Sequence, residues 1–201
     1  MQKAFITIAV TLASFCATLI LLYALVPQQR DEPQPAMRSA PLAAKAVAQT
    51  VATIPEPVQL EIQSIDVAAT INPVGLTQQG DMDIDDNGQQ LAWYKLGPKP
   101  GEEGSAVIAG HYGWKDGVAS IFNDLHTLKK GDTIVTRGQD GQLKTFVVTR
   151  SETYSPNQDA TSVFKSDDGK AHLNLITCQG SWNNSAQTYS ERLVVFTTLV
   201  E

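Results

Sequence analysis

Cysteine is almost missing from this chain: its 201 residues include only Cys16 and Cys178. Two thiols cannot build a disulfide scaffold, nor a multi-cysteine zinc or iron–sulfur site. Basic character is also short. There are 15 lysines and arginines against 21 acidic residues, for a net charge of −6 and a pI near 5.0. Nothing here would neutralise a run of phosphates, which excludes nucleic acid as a partner. Glycine does not occur before Gly75. Internal repeats, a P-loop, a dinucleotide fingerprint and the HExxH metal motif are all absent, and no metal site or cofactor is expected. The length suits one globular domain with an appendage.

What is present begins with an uncharged run. Residues 4–26 (AFITIAVTLASFCATLILLYALV) carry no charged side chain over 23 positions. About 20 such residues cross a hydrocarbon core about 30 Å thick, so the run predicts a transmembrane helix. A cleaved signal peptide has a shorter apolar region, about 7–15 residues, and an A-x-A-like site; no such site closely follows Val26. Lys3 and the terminal amine favour residues 1–3 in the cytoplasm and the body of the chain outside, as a single-pass protein of the cell membrane. Cys16 then falls in the bilayer, leaving Cys178 as the one exported thiol, in a compartment where spare thiols are a liability. Residues 27–57 hold six of the ten prolines, the composition of a semi-extended spacer. The folded domain is expected over 58–201, enough for a single core.

From Val58 onward the hydrophobic period is near two. Val58–Ile62, Ser105–Ala109, Asp132–Thr136, Thr145–Thr149, Ala171–Ile176 and Leu193–Phe196 are short runs, mostly rich in β-branched residues and divided by Gly, Asp, Asn and Pro. They predict a mainly all-β domain, a closed or nearly closed barrel or a sandwich. Val118–Leu128 reads differently: Ile121, Phe122, Leu125 and Leu128 share one face of a predicted amphipathic helix. A second short helix is expected around Ala160–Phe164.

Three residues at strand ends could carry chemistry. Cys178 closes the run His172–Thr177 and is followed by Gln179-Gly180. By itself it is open to two readings, a nucleophile or a small core residue. His111 lies between Gly110 and Tyr112-Gly113, where tight backbone favours an exposed imidazole, and Arg192 opens the last strand. A thiolate can attack an acyl group, an imidazolium can protonate the leaving amine, and an arginine can hold the oxyanion. Arg150, also at a strand end, is the rival for the arginine role.

Together, Gly110-His111, Leu175-Ile176-Thr177-Cys178 and the terminal-strand Arg192 resemble the sortase family of membrane-anchored cysteine transpeptidases. Pro98–His111 is similar to the loop and strand leading into the sortase histidine, and Gly80–Ile84 with Trp93-Tyr94 resembles an upstream hairpin of that family. The order of anchor, spacer and barrel also matches, and the resemblance covers residues 58–201. It implies a closed β-barrel of about eight strands with one or two short helices. It implies Cys178 as nucleophile, His111 as general acid/base and Arg192 as oxyanion or substrate-positioning group. A secreted protein bearing an LPXTG-like signal would be cleaved after threonine through a thioacyl-enzyme. That intermediate would then be resolved by an amine of the cell envelope, such as a cell-wall precursor. Thr177, Asn174 and Trp182 are the candidate substrate contacts. Asn174 departs from the family's T-L-x-T-C pattern, which bears on peptide preference. No Asp-Pro-aromatic lid and no large insertion before the last strand are seen, so a single-domain anchoring type of class D, E or F is expected. Formally the activity is that of a hydrolase-class peptidase. The alternatives are a tethered barrel that binds peptide without catalysis, or a hydrolase using water as acceptor.

The remaining motifs read as structural. His172 shares strand parity with Asn174 and Cys178, and His126 falls on the polar side of the predicted helix as a solvated residue. Asp83, Asp85, Asn87 and Gly88 match half a calcium loop, but its twelfth position is Tyr94 rather than Glu. Asn87-Gly88 is therefore read as a hairpin turn. Trp93 is read as packing, with Trp114 and Trp182 as candidates for a groove rim.

Overall fold

The computed structural model describes residues 53–84 and 86–200. The predicted span and most of the spacer lie outside these; among the described residues no helix is long and apolar enough to cross a membrane. The strands are β1 (Pro57–Ile62), β2 (Val67–Val74), β3 (Leu91–Tyr94), β4 (Gly104–Gly110), β5 (Trp114–Lys115), β6 (Val118–Ala119), β7 (Thr133–Gly138), β8 (Leu143–Tyr154), β9 (Ala171–Asn183) and β10 (Thr188–Val200). Eight of them close into a barrel in the order β1-β2-β3-β4-β9-β10-β8-β7, while β5 and β6 form a separate hairpin. Most neighbours are antiparallel, but β2–β3 and β4–β9 run parallel.

Strand alternation sorts the side chains to two faces. Ala106 and Ile108 of β4, Leu173 and Leu175 of β9, and Leu193 and Val195 of β10 join the interior cluster with Leu60, Trp93, Phe122 and Phe146. Val107, Val194 and Phe196 point outward into a second cluster with Tyr154 and Val163. Val163 belongs to α1 (Thr161–Phe164), which lies in the long β8–β9 connection where a short helix is expected. That connection therefore covers an apolar outer face that would otherwise be wet.

The amphipathic helix predicted over Val118–Leu128 does not form. Asp116 and Gly117 both have positive φ (53° and 80°), which turns the chain tightly between β5 and β6. Only Leu125–Thr127 makes a helical turn, of the 3-10 type. Ile121 N–H donates to Gly88 O and Phe122 N–H to His111 O, so the backbone is satisfied by neighbouring loops rather than by an i→i−4 ladder. Phe122, Leu125 and Leu128 are buried nonetheless. A helix-like apolar spacing is met here by a series of turns with their apolar side chains in the barrel cluster. The upstream segment differs as well. β2 and β3 pair in parallel, the antiparallel contact there is one bridge, Leu76 with Met82, and Asn87–Gln90 forms a turn without a paired hairpin.

Candidate active site

Register brings Cys178, His111 and Arg192 to one face, but only His111 is at a strand end: Cys178 and Arg192 lie within β9 and β10, which continue past them as a hairpin. Val107 pairs with Asn174 and Ala109 with Ile176 across β4–β9. His111 follows two residues beyond Ala109, on the same parity and just past the end of β4. On the other flank, Phe196 pairs with Asn174, Val194 with Ile176 and Arg192 with Cys178. Directly opposed residues hold their Cβ atoms about 4.5–5.5 Å apart. Cys178 thus stands beside Arg192 on one neighbouring strand and next to the continuation of the other, which carries His111.

The backbone around His111 is tightly set. A Cβ on Gly110 would lie 2.6 Å from Cδ2 of Phe122 and 2.8 Å from Cδ2 of Leu91, so only glycine fits there. Thr177 Oγ1 donates to Gly110 O at 2.7 Å, a buried bond. The residue before the thiol is therefore tied to the residue before the imidazole. Thr177 faces inward at 3% exposure, opposite to Cys178, and its hydroxyl is committed to that bond.

Past Cys178 the β9–β10 hairpin carries a bulge. Glu191 pairs with Gln179 but Tyr189 pairs with Trp182, so Gly180 and Ser181 oppose the single residue Ser190. Gly180 has φ +84°, the left-handed region where glycine is unstrained. Arg192 folds back onto this hairpin: its guanidinium donates to Tyr189 O (3.1 Å), Glu191 O (2.9 Å) and Thr188 Oγ1 (2.9 Å). Tyr189 packs edge-on against both Tyr112 and Trp182, at ring-centroid distances of 5.2 and 5.1 Å. These aromatics join the loop after His111 to the hairpin after Cys178. Trp182 is 46% exposed and Trp114 71%, so both remain open to solvent at this end of the barrel.

Burial pushes the Cys178 thiol up, and the nearby Arg192 charge pulls it only partly back. The thiol is therefore the resting form at neutral pH, and the arginine supplies the opposing stabilisation of the thiolate.

The other candidates fall elsewhere. Arg150 sits opposite Phe196 rather than Cys178; it is bound to Glu152 at 2.6 Å and stacks 3.7 Å above the Phe196 ring. Asn174 is buried beneath α1, where its Nδ2 donates to Val163 O at 2.6 Å. His172 bonds to Thr197 O at 2.9 Å and to the Asp168 carboxylate at 2.9 Å, and this contact, with the Ser166 hydroxyl, holds Asp168 down to about 2. Among the described residues no group of three or more His, Cys, Asp or Glu could hold a metal ion. Asp85 is outside the description, and Asn87 Oδ1 accepts from Gln89 N–H as in a local turn.

His126 is exposed, as its sequence reading has it, although it sits on a 3-10 turn rather than on a helix; it also borders, with Cys178, Gln179 and Tyr112, an open cavity at the barrel end. Gln179 and Tyr112 are the site neighbours to which sequence reasoning gave no role. The one available signal was their adjacency to Cys178 and His111.

Comparison with known proteins gives a consistent result. A family model described as "Sortase domain" matches residues 60–200. Sortase A from Corynebacterium diphtheriae, in a lid mutant, is 25% identical with a TM-score of 0.58, covering 76% of this chain and 74% of that one. Sortase C-1 from Actinomyces oris is 25% identical with a TM-score of 0.56, at 72% and 73% coverage. Streptococcus pneumoniae sortase C is 25% identical with a TM-score of 0.56, at 73% and 67% coverage. No curated protein matches at a significant level.

Proposed function

The chain belongs to the sortase family of cysteine transpeptidases, and we propose that it cleaves an LPXTG-like sorting signal through a thioacyl-enzyme on Cys178 and passes the acyl group to an amine of the cell envelope. The observation that carries this reading is the register that sets Arg192 opposite Cys178, with His111 at the end of the adjoining strand. In this mechanism the Cys178 thiol gives its proton to His111 as sulfur attacks the carbonyl carbon of the threonine. Arg192 faces the developing oxyanion, where fixed positive charge lowers the barrier most. The imidazolium then protonates the leaving amine, the C–N bond breaks and the thioester remains. The raised resting thiol agrees with a nucleophile deprotonated only when substrate brings the groups together.

The outer face of β4 and β9, floored by Ala109 and Ile176 and covered by α1, is the proposed peptide groove, with Asn174 beneath the cover and Trp182 at the rim. The domain would work outside the cell, held to the membrane by residues 4–26, on secreted client proteins. The test is turnover of a quenched LPXTG-type peptide panel by the full-length chain in detergent, beside Cys178→Ala. Cleavage by the wild type alone supports the reading. Cleavage of no peptide, or equal cleavage by the variant, refutes it. Product analysis with and without added amine separates transfer from simple hydrolysis.

A further inference from the structure

The Arg192 guanidinium is held only by oxygens that carry no charge. Its Nη1 donates to Tyr189 O at 3.1 Å and Glu191 O at 2.9 Å, and its Nη2 to Thr188 Oγ1 at 2.9 Å. Among the described residues no carboxylate pairs with it, whereas Arg150 is bound to Glu152. A carboxylate would orient the guanidinium and cancel its charge together. Carbonyl and hydroxyl oxygens orient it and leave the charge whole. In this pose the charge already pulls the Cys178 thiol down against its burial.

Two of the three acceptors are main chain, so they carry no choice of side chain. Both also converge on Nη1, about which a planar group could still pivot. The bond from Nη2 is made on a second nitrogen and stops that pivot. Its acceptor, Thr188, is the first residue of β10, four positions before Arg192 and on the same side of the strand by alternation. Ser190 lies between them, but its hydroxyl is occupied by Ser181 N–H at 3.0 Å. Thr188 is thus the one side chain among the described residues that fixes the plane of the guanidinium.

We infer that Thr188 is a positioning residue for the reaction: its hydroxyl orients Arg192, so that the remaining guanidinium donors meet the oxyanion formed at Cys178 with no counter-ion beside them. The inference rests on the thioacyl reading above, with Arg192 in the oxyanion role. An arginine left free would have to be ordered at the moment of reaction, at a cost in rotamer entropy. Oriented beforehand, it adds no such cost to the transition state.

Thr188→Val keeps the shape of the side chain and removes the acceptor, while Thr188→Ser keeps the hydroxyl. The full-length chain in detergent is assayed on a cleavable LPXTG-type peptide. Thr188→Val should lower kcat about tenfold, the ordinary worth of a hydrogen bond to a charged group. KM should stay within about twofold, because the arginine acts in the transition state. Thr188→Ser should keep kcat within about threefold of wild type. In an Arg192→Ala background, Thr188→Val should cost less than about twofold more, since a residue acting through the arginine has nothing left to act through. A general loosening of the hairpin would carry its full cost into that background. Iodoacetamide labelling of Cys178 reads the same bond without turnover: in Thr188→Val the pH profile should move upward, as in Arg192→Ala but by less.

Wild-type or higher kcat in Thr188→Val overturns the inference. So does an equal loss in Thr188→Ser, or a tenfold loss repeated in the Arg192→Ala background. A wild type that cleaves no peptide overturns the thioacyl reading instead, and the labelling profile then tests the clamp separately. An unchanged profile in Thr188→Val overturns the clamp itself.

Discussion

Replacing Gly110 by alanine adds one methyl group where the barrel has no space for it. The new Cβ would stand 2.6 Å from Cδ2 of Phe122 and 2.8 Å from Cδ2 of Leu91, well inside van der Waals contact. Phe122 and Leu91 are 0% and 1% exposed, so neither can swing into solvent. Gly110 is not among the positive-φ glycines, and the penalty is therefore steric. Overpacking of a tight core costs about 1–3 kcal/mol. At about 2–4 °C per kcal/mol for a domain of this size, Tm should fall by roughly 2–12 °C. Turnover should fall further than stability accounts for, because a displacement of about 1 Å in a reacting group costs about a hundredfold. Thermal and urea unfolding give the first number, and initial peptide-cleavage rates measured well below Tm give the second. Phe122→Ala in the same background removes the ring atoms that the methyl meets, so the two stability losses should add to less than their sum, as expected for coupled neighbours. A Gly110→Ala protein with wild-type Tm and wild-type rate would refute the claim that this packing sets His111.

Two further predictions concern charge at the site. With the thiol raised by burial, iodoacetamide labelling of Cys178 should still be accelerating at pH 9, the ordinary thiol value being 9.0. Arg192→Ala, by removing the opposing pull, should move the profile to still higher pH; a labelling plateau below pH 8 would contradict this. Arg192→Ala should also cut peptide turnover by roughly 10²–10³, the usual loss when an oxyanion donor is removed. Arg150→Ala should leave turnover within about twofold, since an exposed pair contributes only about 0–1 kcal/mol. The reverse order would exchange their roles.

Much of this was legible in the sequence, for physical reasons. The parity of Asn174, Ile176 and Cys178 on β9 could be read without coordinates, and so could the position of His111 just past β4; the strand-end placing of Arg192 could not, because β10 starts four residues earlier, at Thr188, in a polar stretch that reads as loop. The cross-strand register was not readable. The resemblance favoured Arg192 over Arg150, but the pairings Arg192–Cys178 and Phe196–Arg150 belong to the folded chain alone. β2 passed unread because Val67–Val74 is diluted by alanine and asparagine and ends in Pro73-Val74. β3 is only four residues long, too short for a period. The false helix at 118–128 shows the limit of apolar spacing. Ile121, Phe122, Leu125 and Leu128 satisfy a helical period, but a turn at Asp116-Gly117 and hydrogen bonds to Gly88 and His111 hold the chain in loops. His126 stays exposed all the same, on the 3-10 turn that replaces the helix. Gln179, whose buried oxygen lacks a partner, had no sequence signal beyond its place after Cys178.

The most direct test is the intact mass of the full-length chain quenched in acid during turnover of an LPXTG-type peptide. The account predicts an added mass equal to the peptide fragment ending in threonine, lost on treatment with hydroxylamine, mapped to Cys178 by fragmentation and absent from Cys178→Ala. Peptide cleavage with no adduct on Cys178, or the same adduct in the variant, would contradict it.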